Sequence, residues 1–142
     1  QLIKNLVLSP ERTIRRKIQE IRLALALEER LSKTEILELY LNRVYLGERA
    51  YGIEAAAQRY FDKPASELTL AEAALMAALP KAPNNYQVDR NPEAAKGRRD
   101  WVIQQMLENG YIDHATANAA QDSPITETNS QISAGIFAVY EF

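Results

Sequence analysis

The chain has no cysteine, which excludes disulfide frameworks, thiolate metal sites and cysteine nucleophiles together. Its single histidine, His114, stands in a polar late segment with no second histidine to share a metal, and reads as a surface residue. Long apolar runs are also missing: the longest apolar-rich stretch, Leu70 to Leu79, falls far short of the roughly 20 residues a membrane span needs. No signal-peptide pattern is visible, so these residues are expected to be soluble or at most peripheral. Surplus charge of either sign is lacking. A formal net charge of −2 argues against a general nucleic-acid binder, which neutralises several phosphates with a basic surface. Any anion site must therefore be local.

What is present is helical patterning. A length of 142 residues with 46% hydrophobic content suits one core and one domain. The start is abrupt, because Gln1 to Leu8 already reads as the middle of an amphipathic helix without a cap, as in a piece of a longer chain. Ser9-Pro10-Glu11 supplies an N-cap, a proline at the first helical position and an early acid, predicting a helix from Pro10 to Leu31. Ser32-Lys33-Thr34-Glu35 matches a capping box and opens a second helix expected to end near Gly47. So short a connection forces a sharp angle or an antiparallel hairpin.

Beyond a polar loop from Gly47 to Gly52, the alanine-rich Ile53 to Phe61 forms a short helix broken by Asp62-Lys63-Pro64. Thr69-Leu70-Ala71-Glu72 is a second capping box, and the nearly all-apolar helix behind it, to Leu79, should be the central buried element. Pro80 and Pro83 end it and hold Lys81 in an irregular turn. Asn91-Pro92-Glu93 starts a long helix with Trp101, Val102, Ile103, Met106 and Leu107, stopped by Gly110. A short polar helix from Asp113 to Gln121 follows, then linker composition over Pro124 to Ser133 and a tail, Gly135 to Tyr140, that reads as a strand or a partner-dependent segment. The fold class expected is all-α, with residues Gln1 to Asp122 as one domain and residues 123–142 as a linker-like tail.

Chemistry concentrates in Arg16-Lys17-Ile18-Gln19-Glu20. At about 100° per residue, Thr13, Arg16, Lys17 and Glu20 point one way and Ile14, Ile18, Ile21 and Leu25 the other. The charged face continues into Ala24, Leu27 and Leu31, where a solvated face would stay polar, so it reads as the wall of a cleft. The plainer alternative is an exposed Arg16/Glu20 pair at i,i+4, worth a few tenths of a kcal/mol.

Five segments then combine in one order: Gln1-Leu2-Ile3-Lys4-Asn5; Arg12-Thr13 with Arg16-Lys17 and Glu20; Ile36-Leu37-Glu38-Leu39-Tyr40-Leu41-Asn42 with Tyr45-Leu46-Gly47; Tyr51-Gly52-Ile53-Glu54-Ala55-Ala56-Ala57 with Tyr60-Phe61; and Leu70-Ala71-Glu72-Ala73-Ala74-Leu75 with Leu79-Pro80-Lys81-Ala82-Pro83. From Gln1 to about Ile112 the chain resembles the peptidoglycan glycosyltransferase domain of class A penicillin-binding proteins and their monofunctional relatives, the family 51 glycosyltransferases. The resemblance implies a lysozyme-like helical fold, here partial at its N-terminal side. It also implies polymerisation of lipid II at the outer, periplasmic face of the bacterial inner membrane, with inversion at the anomeric carbon and release of polyprenyl pyrophosphate.

Positions matching Gln1, Lys4, Arg12, Lys17 and Glu20 line the family's donor site. Lys4, Arg12, Arg16 and Lys17 can converge on a pyrophosphate if the first two helices meet at Ser9-Pro10. Lys81 is a further candidate phosphate contact; the alternative is a cation neutralising a helix C-terminus. Glu20 would be the second of two acidic residues the family relies on, steering Lys17 or Arg16 or sharing a divalent cation, Mg or Mn, with the pyrophosphate. No other metal site or cofactor is implied. The implied partners are lipid II, the growing glycan strand, the membrane surface through an upstream segment and a possible downstream transpeptidase domain, with no nucleic acid. The family's first motif, holding the glutamate that acts as general base, would lie upstream of Gln1, so these residues alone are not expected to polymerise lipid II.

The remaining carboxylates have structural explanations. Glu35 and Glu72 belong to capping boxes and Glu38 is expected to orient a neighbouring segment. Tyr40 and Tyr45 read as packing, and Asn42 as a buried bridging residue. A lysozyme-like glycan-cleaving enzyme is the rival catalytic reading, but its acid wants an apolar surround, whereas two cations beside Glu20 favour the ionised form. An inactive helical interaction module is the non-enzymatic alternative.

Overall fold

Caps and apolar stripes turn most of the described chain, residues 14–125 of a computed structural model, into helix. Six α-helices are described, and strand-like pairing among these residues is limited to one isolated antiparallel bridge between Tyr45 and Tyr51. The all-α expectation holds. The chain divides into two compact units, Gln1–Val44 and Tyr45–Phe142.

In the first unit, α1 (Ile14–Glu28) and α2 (Lys33–Leu41) touch each other. Helix α1 stops three residues before Leu31, because Ser32 must take extended backbone (φ −66°, ψ 161°) to cap α2. The predicted capping box is formed: Ser32 N–H donates to the Glu35 carboxylate at 2.8 Å, and Glu35 N–H donates to Ser32 Oγ at 3.3 Å. Helix α2 ends at Leu41, well before the predicted Gly47. The following residues leave the helix because Tyr45 bridges to Tyr51, with Leu46 N–H donating to Ala50 O at 3.0 Å. Asn42, expected to be buried, is instead an exposed C-cap whose backbone N–H reaches Glu38 O and Tyr40 O.

The second unit is built around α4 (Leu70–Ala78), which touches α3 (Ile53–Phe61), α5 (Pro92–Glu108) and α6 (His114–Asp122). Small side chains permit this. Ala71, Ala74, Ala117 and Ala120 surround Ile103, with Leu70, Val102, Leu107 and Ile112 closing the edges. Leu75, Met76, Leu79 and Ile103 are fully buried, each contributing about 1.5–3 kcal/mol. The second capping box is also formed, Thr69 N–H donating to Glu72 at 2.7 Å and Lys63 Nζ adding an ion pair at 3.0 Å. Pro80 tightens the end of α4 into a 3₁₀ turn over Leu79–Lys81.

Helix α5 buries Ala95, Arg99 and Ile103, one residue per turn along one stripe. It ends as predicted at Gly110, whose φ of 73° lets Gly110 N–H reach Leu107 O and Tyr111 N–H reach Met106 O, the paired bonds of a Schellman motif. Trp101 faces outward, half-exposed, with the Arg98 guanidinium 3.9 Å from its ring centroid.

Between Tyr45 and Tyr51 lies the most constrained backbone described. Gly47, Glu48 and Arg49 follow one another at positive φ (89°, 47° and 62°). Each non-glycine residue there costs about 1–2 kcal/mol. The turn is secured by the Tyr60 hydroxyl donating to Leu46 O at 2.9 Å and the Gln87 amide donating to Glu48 at 2.9 Å.

Candidate functional site

One helical turn places Arg16, Lys17 and Glu20 together on α1. The Glu20 carboxylate lies between two cations, with Oε1 3.2 Å from Arg16 Nε and Oε2 3.0 Å from Lys17 Nζ. The Arg16 and Glu20 side chains are only 17% and 13% exposed, whereas Lys17 is 70% exposed. Arg16 Nε and Glu20 Oε1 are both shut off from solvent. This is a different object from a surface i,i+4 pair in high dielectric, because desolvation strengthens the attraction while making either partner costly to remove. Lys17 contributes the accessible part of the charge.

The covered face of α1 is the one that carries this cluster. Arg16, Glu20, Leu27 and Leu31 are partly buried, whereas Ile14, Ile18, Ile21 and Leu25 on the opposite side are exposed. Cover on the charged face is thus confined to Arg16, Glu20, Leu27 and Leu31, with Lys17 and Ala24 exposed, while the apolar face lies open. Glu20 provides one carboxylate with a cation at each oxygen. Among the described residues no group of three or more His, Asp or Glu side chains could hold a metal.

Lys81 is exposed in the turn after α4, in the second compact unit. Gln1, Lys4 and Arg12 lie outside the described residues. The structure therefore brings together Arg16, Lys17 and Glu20 of the predicted set. The structural readings of the other carboxylates hold at Glu35 and Glu72. Glu38 is exposed, and His114 is exposed at the start of α6.

The sequence profile of the family described as Transglycosylase matches residues 1–107. The chain belongs to the transglycosylase family. This transglycosylase chain is 53% identical over 125 residues to penicillin-binding protein 1A of Pseudomonas aeruginosa, covering 88% of the chain and 15% of that relative. It is also 53% identical over 126 residues to penicillin-binding protein 1A of Aquifex aeolicus, covering 89% of the chain and 17% of that relative. The crystal structure of penicillin-binding protein 1A from Haemophilus influenzae superposes with a TM-score of 0.66 at 45% identity, over 73% of the chain and 16% of that protein. The chain thus spans about one-sixth of the length of the relatives it matches. Among the described residues of the transglycosylase no helix is long and apolar enough to cross a membrane.

Two features of the transglycosylase are not announced by its sequence. Arg99 is 1% exposed, with Nη1 donating to Ser123 O at 2.7 Å, Nη2 to Gln121 O at 2.8 Å and Nε to Asp100 at 2.9 Å. Its register was the available clue, because it shares the i, i+4, i+8 stripe of Ala95 and Ile103. The left-handed turn at Gly47 to Arg49 is, in sequence, only a polar loop. Gly47 and Gly52 marked its ends, but nothing local announced positive φ at a glutamate and an arginine.

Proposed function

We propose that the protein carrying this chain is a peptidoglycan glycosyltransferase that polymerises lipid II, with inversion at the anomeric carbon and release of polyprenyl pyrophosphate. Transglycosylase membership supports the reaction class, and the observation that carries the site is Glu20 seated between Arg16 and Lys17 on the covered face of α1. Departure of a diphosphate develops negative charge that must be met without waiting for solvent to reorganise. Glu20 fixes where the cations stand. Lys17, the exposed member, then offers its ammonium to a phosphate oxygen, a charge-assisted contact worth about 1.5–3 kcal/mol.

In this proposal Gln1, Lys4 and Arg12 complete the donor site with Arg16, Lys17 and Glu20, and Lys81 supplies a further phosphate contact. In this reading a further carboxylate, not Glu20, takes the proton of the acceptor hydroxyl. The reaction belongs at the outer face of the bacterial inner membrane, where lipid II and the growing strand are the partners. Residues Gln1 to Asp122 form the glycosyltransferase portion, and residues 123–142 are a linker-like tail.

Lipid II consumption by the full-length protein tests the reading, with release of soluble fragments from purified cell wall as the contrary result. A cleaving enzyme needs a protonated acid in an apolar surround. Glu20, flanked by two cations, does not offer one.

A further inference from the structure

The loop that leaves α4 is fastened twice by one strained turn, all within the second compact unit. Gly47 packs against the near end of the loop, where a Cβ on this glycine would stand 3.5 Å from Pro83 O and 2.6 Å from the Tyr60 hydroxyl. Glu48 holds the far end, its carboxylate accepting a hydrogen bond from the Gln87 amide at 2.9 Å. Gln87 is 7% exposed and 39 residues further along the chain, so this bond is a tertiary tie.

Between the two ties the loop is drawn in on itself. Asn85 N–H and Tyr86 N–H both donate to Ala82 O, at 2.9 and 3.2 Å, and Asn91 N–H donates to Gln87 O at 2.8 Å. Lys81 stands exposed just before the loop, in the 3₁₀ turn that Ala82 N–H closes on Leu79 O at 3.1 Å. A backbone held at both Pro83 and Gln87 leaves Lys81 a fixed base.

Glu48 makes its tie against the preference of its own backbone. Its φ of 47° is left-handed, where glycine meets no steric penalty and a residue with a side chain does. Such strain persists only where the surrounding structure over-determines it. Here the carboxylate receives a charge-assisted hydrogen bond at one oxygen and faces Arg59 Nη2 at 3.8 Å with the other.

We infer that Glu48 is a positioning residue: through Gln87 it fixes the loop from Ala82 to Val88, and with it the stance of Lys81. The consequence for turnover rests on the reading of Lys81 as a phosphate contact, whereas the fastening of the loop does not. A cation whose stance is set beforehand meets developing charge without reorganising.

The experiment compares wild type, Glu48→Gly, Glu48→Gln, Lys81→Ala and the double variant of Glu48→Gly with Lys81→Ala in the full-length protein, by hydrogen exchange and by lipid II kinetics. Glu48→Gly relaxes the left-handed backbone but releases Gln87. Exchange at the Asn85, Tyr86 and Asn91 amides should therefore rise at least about tenfold while α4 amides keep their protection. The same variant should lower kcat/KM about three- to tenfold. Glu48→Gln keeps an oxygen for the Gln87 amide and should recover most of both properties. With Lys81→Ala already present, Glu48→Gly should lower turnover no further, because the side chain it positions is gone. A merely structural role would lower turnover equally in either background. Unchanged exchange in Glu48→Gly, or an equal loss of turnover with and without Lys81, overturns the inference. Wild-type turnover by Lys81→Ala instead refutes the phosphate contact, and exchange then decides the fastening by itself.

Discussion

Lys17 and Gly47 show how one side chain, or its absence, separates chemistry from stability. Lys17 is largely solvent-exposed and donates to Glu20 at 3.0 Å. Substitution at such a surface position normally shifts stability by no more than about 0.5 kcal/mol. Lys17→Ala in the full-length protein should therefore cut lipid II turnover at least about tenfold, the worth of one charged contact, while the unfolding midpoint scarcely moves. Equal turnover would remove Lys17 from the pyrophosphate site. Gly47 makes the opposite case. It holds φ +89°, and a Cβ there would stand 2.6 Å from the Tyr60 hydroxyl. Gly47→Ala should destabilise by about 1–3 kcal/mol in urea titration. Adding Tyr60→Phe, which clears the hydroxyl, should cost less than the sum of the two single changes.

At the scale of elements, three helix starts carry a carboxylate whose ionised form the fold favours. Burial pushes the Glu72 carboxyl up, but the Thr69 N–H and the Lys63 ammonium outweigh it and hold the group below its ordinary 4.5. The Ser32 backbone and hydroxyl lower Glu35, and hydrogen bonds from Thr116 lower Asp113. Because the folded values lie below the unfolded ones, these contributions are complete above about pH 4.5 and disappear as pH falls through the folded values. Melting curves followed by circular dichroism should lose midpoint on acidification below that point. Glu72→Gln should lower the midpoint at neutral pH and shrink the acid-dependent drop; an unchanged acid limb would show that Glu72 takes no part in it.

These same caps explain how much of the architecture was legible. Both capping boxes, the span Ile53–Phe61 and the stop at Gly110 are written in local chemistry, so reading the residues located them. The end of α2 is written elsewhere. Arg43 to Leu46 would suit a helix, but the pairing of Tyr45 with Tyr51 draws them away, and no window around α2 contains that partner. The charged face of α1 was legible from the way it runs into Leu27 and Leu31, and those residues are partly buried with it. The candidate site was legible as far as one turn of one helix joins its members. The reading of Asn42 as a bridging residue rests on its amide's two donors and acceptor within a longer helix; at the C-cap where α2 actually ends it faces water.

For the whole molecule, Arg99 connects parts that sequence separation keeps apart. From the buried stripe of α5 its guanidinium takes the carbonyls of Gln121 and Ser123, where α6 ends. Helix-terminal carbonyls lack partners within the helix, so Arg99 acts as their tertiary cap. Arg99→Met keeps most of the stem packing but strips both carbonyls, costing about 1–3 kcal/mol for each one left orphaned. Hydrogen exchange should accelerate across residues 114–125 while α4 amides keep their protection. Uniform acceleration throughout the unit would indicate a general core role instead.

That grip also decides how mechanical load enters the domain. Tension on the polypeptide after Ser123 pulls first on two short hydrogen bonds to the middle of α5, so it is delivered sideways into the longest described helix and cannot simply unzip α6 from its free end. Arg99 thus serves as a strain relief, like the clamp where a cable enters its housing.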